Sequence, residues 1–259
     1  MLKWIILMIL ATAIAAVFYT RKRYAGTKRL FGLYSAQFFN LFVAMPIITI
    51  SIVNITLEVN SRPEVQNIPT SANLILSLLI LSLISTAIGN GIHSTSTSVS
   101  EAFPEETRTK AYFTNEIFHK YLSHEFINIG AIGIAIFLGL LEINHPAQYP
   151  PFSPGIAVSL GIIIGFIASF SIIRGTYIGL SLLILFWGML VMAFSIYPLY
   201  SSHHLYNYPL SLMNLTSIAT TFLLLLAFSI IVIFTDNLEK RVVKLIFPKR
   251  DELRKSFHI

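Results

Sequence analysis

Residues 175–235 read GTYIGLSLLILFWGMLVMAFSIYPLYSSHHLYNYPLSLMNLTSIATTFLLLLAFSIIVIFT, with no Lys, Arg, Asp or Glu anywhere in the run. A helix crosses a hydrocarbon core roughly 30 Å thick with about 20 apolar residues. The run is too long for one such helix and predicts two. The break falls at Tyr200–Tyr208, a polar and aromatic segment carrying His203 and His204. Tyrosines are expected where helices meet the membrane surface, so the two histidines read as loop decoration. The apolar stretches are continuous and do not alternate with period two, which argues against a β-barrel.

Working outward from this run, the same reading predicts seven spans, at 4–20, 30–57, 72–98, 112–141, 153–173, 176–199 and 210–235. The expected fold class is all-α, a polytopic bundle of seven transmembrane helices in a single domain over 1–239, followed by a basic tail at 240–259. The fourth span is the odd one: its first turns carry Glu116, Lys120 and Glu125 before the uncharged stretch Phe126–Leu141. Pro46 is expected to kink the second span, which membrane helices tolerate where neighbours satisfy the freed carbonyl.

Composition agrees. The 259 residues are 55% hydrophobic and only 12% charged, with a mean hydropathy of +0.73. A soluble domain carries about 25% charged residues. The deficit excludes an ordinary water-soluble enzyme, a disordered chain and a nucleic-acid-binding module. The absence of cysteine removes disulfides, thiolate metal sites and a cysteine nucleophile.

Membrane topology accounts for the sequence pI near 9.5. With Arg21–Arg29 placed in the cytoplasm and the spans alternating from there, sixteen of the 18 Lys and Arg residues fall on the cytoplasmic side. Only Lys3 and Arg62 fall opposite. This asymmetry predicts the amino terminus outside and the carboxyl terminus inside. Met1–Ala16 also has signal-peptide features, but Arg21-Lys22-Arg23 follows at once and favours an uncleaved anchor helix. The expected location is a multi-pass position in a membrane, most simply a prokaryotic plasma membrane. The tail reads as an ordinary positive-inside segment, with contact to anionic headgroups as the alternative.

Ionisable groups inside spans are costly and mark functional sites or buried pairs. Alternation brings His93, near the cytoplasmic end of the third span, to the level of Glu116, His119 and His124 on the fourth. Asn90, His93, Ser94, Thr97 and Glu101 share one helix face, and Glu116, His119, Lys120 and Ser123 share another. Tyr34, Gln37 and Asn40 add a polar stripe on the second span. Imidazole and carboxylate together suit Zn, Fe or Mn, and Glu116-x-x-His119 has the spacing of helical carboxylate metal sites. His93, Glu116 and His119 are therefore the expected ligands of one divalent ion, with Glu101 or His124 assisting. A structural role at the headgroups is the alternative for each. Glu142-x-x-His145 repeats the spacing on the opposite side and cannot join this site. A b-type haem on His93 with His119 or His124 ranks behind a divalent ion.

The run His93-Ser-Thr-Ser-Thr-Ser-Val-Ser does not identify a nucleophile, because hydroxyls on membrane helices commonly bond backbone or a neighbouring helix. Ala157, Gly161, Gly165 and Ser169 form a small-residue face, expected to pack within the chain or against a second copy or another membrane protein. Gly130, Gly133 and Gly139 predict similarly close contacts along the fourth span.

His93 followed by Ser94 and Thr95, with Glu116 in place of an acid, resembles in part the alkaline ceramidase and progestin-receptor superfamily. The resemblance implies seven spans and metal-dependent hydrolysis. It covers two helices, and the late His-x-x-x-His pair of that family is absent, since the seventh span has no histidine. The same span has no lysine for a retinal Schiff base. The expected function is thus a metal-dependent membrane enzyme acting on a lipid or apolar substrate. A proton-coupled carrier and an accessory subunit of a larger complex are the alternatives.

Overall fold

A computed structural model describes residues 1–20, 29–30, 33–65, 67–102, 110–175, 178–201 and 205–234. The basic loop at 21–28, Arg108, His203, His204 and the tail at 240–259 lie outside the described residues, as do the side chains of Tyr34, Glu101, Lys120 and Arg174. The regular structure of the described residues is helical apart from a two-residue antiparallel pairing of Arg29–Leu30 with Leu33–Tyr34.

Seven helices follow in order. They are α1 (Leu2–Thr20), α2 (Ser35–Asn60), α3 (Ala72–Ala102), α4 (110–144), α5 (Pro154–Gly175), α6 (Ile178–Ser201) and α7 (Pro209–Phe234). The stretches Ser35–Asn60, Ala72–Val99, Ser123–Asn144, Pro154–Ile173, Leu180–Tyr200 and Pro209–Ile231 are long and apolar enough to cross a membrane. The first predicted span forms a shorter apolar helix packed on α2. Fully buried Ile5 on α1 belongs to the same core as Ile55 and Val59 of α2. Large apolar side chains turn outward along the bundle, with Phe194 74%, Phe166 62% and Phe42 60% exposed. Such a surface is tolerable in lipid and an aggregation hazard in water.

Two helices are interrupted by π turns, at Asn40–Ala44 in α2 and Phe118–Leu122 in α4. The first has a local cause. Pro46 has no N–H to give and its ring crowds the carbonyl four residues back; the preceding turn widens, and Met45 N–H reaches Asn40 O instead. The predicted kink is thus a π turn. Nothing in the local sequence accounts for the second, which lies where α4 crosses the polar end of α3.

Packing is built on α4, which touches α2, α3, α6 and α7. Glycines let backbones meet. A Cβ on Gly89 would lie 2.6 Å from Ser123 O of α4, and one on Gly130 would lie 2.6 Å from Ser82 O of α3. The same holds for α5 on α7: a Cβ on Gly161 would stand 2.5 Å from Met213 O, and one on Gly165 2.6 Å from Ser217 O. The Gly161/Gly165 face is therefore occupied by α7 of the same chain. Of the alternatives expected for this face, packing within the chain is the one the structure shows.

Glu142 and His145 lie at the end of the bundle remote from His93. That end holds a buried polar network. Glu142, fully buried, accepts Ser211 N–H at 2.7 Å, Ser211 O–H at 2.9 Å and the Arg62 guanidinium at 3.3 Å. His145 Nδ1 donates to Arg62 O at 2.9 Å. Asn144 Oδ1 accepts Ile68 N–H at 3.0 Å, and Asn67 Nδ2 donates to Ile143 O and to the Tyr208 hydroxyl, each at 2.9 Å. Burial pushes the Tyr208 phenol above its ordinary value, so it stays neutral. These bonds fasten the α2–α3 connection and the start of α7 to the end of α4. Glu142 and His145 are thus a structural clamp, about 35 Å of helix from His119 at roughly 1.5 Å per residue.

Candidate functional site

Three side chains of α3 and α4 meet at the other end. The rings of His93 and His119 have centroids 4.8 Å apart, those of His93 and His124 stand 4.9 Å apart edge to face, and His119 and His124 are 6.5 Å apart. Helical register brings this about: Gly89 lets α4 approach, and His93 follows one turn later on the α4 side of α3. The contact is braced by Asn115 Nδ2, which donates to Ser96 O at 2.8 Å, and by Asn40 of α2, whose Nδ2 donates to Asn90 Oδ1 at 3.1 Å.

Hydrogen bonds assign the tautomer of His119. Thr97 has one hydroxyl proton and gives it to His93 O at 2.7 Å. Its oxygen is left to accept, so the 3.0 Å contact with His119 Nε2 is an N–H donated by the imidazole. In the neutral ring Nδ1 then carries the lone pair. That atom is buried without a hydrogen bond, and Glu116 Oε1 lies 3.8 Å from it. Glu116 itself is 5% exposed. The His119 carbonyl accepts the Ser123 hydroxyl and bonds the His93 ring. Both rings are therefore oriented from outside by fixed partners, as the ligands of metal sites are.

Glu116, His119, His93 and His124 are thus brought together. The chain matches no protein family model, no curated protein and no solved structure. What the site does must be read from its own geometry.

The expected three-ligand metal centre finds no support in that geometry. Among the described residues no group of three or more His, Asp or Glu side chains is arranged to hold a metal ion. The rings pack against one another, and His119 Nε2 is taken by Thr97. What exists is Glu116 beside His119 Nδ1, with the His93 ring tilted against His119 and edge to face with His124. Charges on two adjacent rings 4.8 Å apart would repel by about 3 kcal/mol at an effective dielectric near 20. Glu101, expected to assist, has its side chain outside the described residues.

Sequence reasoning missed Thr97 as the partner of His119 and Asn40 as the partner of Asn90. Both were on the polar stripes, and the stripe pattern alone does not say which members touch.

Proposed function

We propose that the protein is a seven-span membrane protein that binds one divalent metal ion at Glu116 and His119, as an enzyme acting on a lipid or apolar substrate. The observation that supports this is the pair of acceptors, His119 Nδ1 and Glu116 Oε1, facing each other 3.8 Å apart in a buried place. A neutral imidazole lone pair and a carboxylate are donor types that suit a divalent cation. His93 and His124 stand close enough to His119 to serve as a further ligand or base. A metal there supplies a water of lowered pKa. Haem fits less well. Two imidazoles ligating one iron from opposite faces, with each nitrogen about 2 Å away, hold their centroids about 6 Å apart, against 4.8 and 4.9 Å for the His93 pairs.

Metal stoichiometry in detergent after mild chelation tests the reading. Wild type is expected to retain about one ion per chain, and Glu116→Gln and the His93→Ala/His119→Ala double variant are expected to lose it while staying monodisperse. Thr97→Val is the subtler variant. It keeps the shape but removes the acceptor that orients His119, and it is expected to weaken metal affinity by about 10–100-fold. A wild type that stays metal-free after supplementation sinks the enzyme reading.

We also propose the orientation with the amino terminus outside and the carboxyl terminus in the cytoplasm, supported by the basic residues gathered on one side. Reporter tags on the two termini should read opposite sides. The same side for both would remove α1 or α4 from the spans. The carrier alternative gains a buried carboxylate at the far end, Glu142. Both of its oxygens are already engaged, and the apolar stretch Ile134–Leu138 separates it from the histidines.

A further inference from the structure

We infer that Gln37 and Ser94 line a polar subsite between α2 and α3, beside His93, that takes the uncharged hydroxyl- or amide-bearing head of an apolar substrate. This rests on the enzyme reading above and names its substrate class. The Asn40–Asn90 hydrogen bond sets the register of the two antiparallel helices. Gln37 precedes Asn40 by three residues and Ser94 follows Asn90 by four, so both step toward the same end, by about 4.5 and 6 Å of helix rise. Ser94 shares the face of Asn90, which meets α2, whereas the adjacent His93 turns to α4.

Two independent atoms then point to a ligand. Gln37 is 1% exposed and Ser94 0%, and Gln37 Oε1 and Ser94 Oγ are both buried without a hydrogen bond. Buried polar atoms without partners are uncommon enough to need an explanation. Ser51, Ser77, Ser82 and Ser98 return their proton to the carbonyl four residues back, and Ser85 gives its proton to Phe126 O of α4. The Ser94 hydroxyl does neither.

The chemistry of the pair limits the occupant. An amide oxygen requires a donor, and a hydroxyl both gives and accepts, which matches an alcohol or amide. An anionic head is disfavoured, since it would face the Gln37 oxygen without a cation on the described side chains of α2 and α3. Those helices carry only Glu58 as a described charged side chain, at the far end of α2. An acyl chain has an apolar surface to follow, the adjoining Phe38 and Phe42 on α2, whose rings are tilted with centroids 4.9 Å apart.

Native mass spectrometry of the whole protein released from detergent micelles tests the subsite, with 1-monooleoylglycerol as probe and oleate as the anionic control. Wild type is expected to retain monooleoylglycerol over oleate by about tenfold or more, because the unpaired atoms reject a head that cannot match them. Gln37→Leu and Ser94→Ala, both small changes in volume, should each erase that preference, while Glu116→Gln should keep it. Equal retention of the two lipids by wild type, or an unchanged preference in both variants, overturns the proposal and leaves ordered water as the occupant. Metal stoichiometry on the same samples separates the two readings. A metal-free wild type that still prefers monooleoylglycerol fails only the metal centre, and a metal-loaded one without the preference fails only the subsite.

Discussion

Gly165→Leu is expected to abolish the monodisperse folded protein. A Cβ at this position would stand 2.6 Å from Ser217 O and 2.7 Å from the Thr220 Cβ, and leucine adds three more carbons beyond it. The obstacle is the backbone of α7, which cannot rotate away as a side chain would. Overpacking a core typically costs about 1–3 kcal/mol; here the helices must separate along their length, and the Thr221 hydroxyl bond to Gly165 O, 3.2 Å, is lost as well. Size-exclusion chromatography in detergent reads the result. Gly91→Ala is the control, since a Cβ there meets nothing within 4 Å. It should leave the profile unchanged and even favour the helix slightly. A monodisperse Gly165→Leu protein of wild-type stability would show that the α5–α7 contact is misplaced.

Glu142→Ala is the second large effect. It removes an anion that holds Arg62 and the first turn of α7, leaving a guanidinium and the Ser211 N–H without their acceptor. Breaking a buried pair by deleting one partner costs about 3–5 kcal/mol, seen as an earlier midpoint in thermal or denaturant unfolding in detergent. Glu142→Gln should cost less, because an amide oxygen still accepts from Ser211. The double change Glu142→Leu/Arg62→Met should recover much of the loss, since it leaves no orphaned charge. If Glu142→Ala unfolds with wild type, the clamp is not structural. The carrier reading would then regain this carboxylate.

The site was legible in part. Helical spacing placed His93, Glu116 and His119 at one level, because residues three, four and seven apart share a face whatever the tertiary fold. It also placed Thr97, Ser94 and Gln37 on polar stripes. The stripes say which residues share a side and not how the rings turn. Whether imidazoles converge on an ion or stack on one another depends on side-chain torsions, and those follow from Thr97, from the His119 carbonyl and from the π turn in α4. The network at the other end was missed for a similar reason. Glu142 and Arg62 are eighty positions apart, and only the fold brings them within 3.3 Å.

By itself the sequence determined the helical membrane architecture and where its helices run, because crossing hydrocarbon demands long uncharged stretches and every backbone group satisfied within the segment. The uncharged run at 175–235 and its break at Tyr200–Tyr208 required no knowledge of neighbours. Tertiary structure decided which small-residue face meets which helix. Ala157, Gly161, Gly165 and Ser169 fit a partner helix from any source, and only the assembled bundle assigns α7 to them. It also decided the partners of the buried polar groups. Hydrophobic length is a property of each segment alone, whereas a hydrogen bond within a bundle depends on two segments whose relative register no single helix encodes.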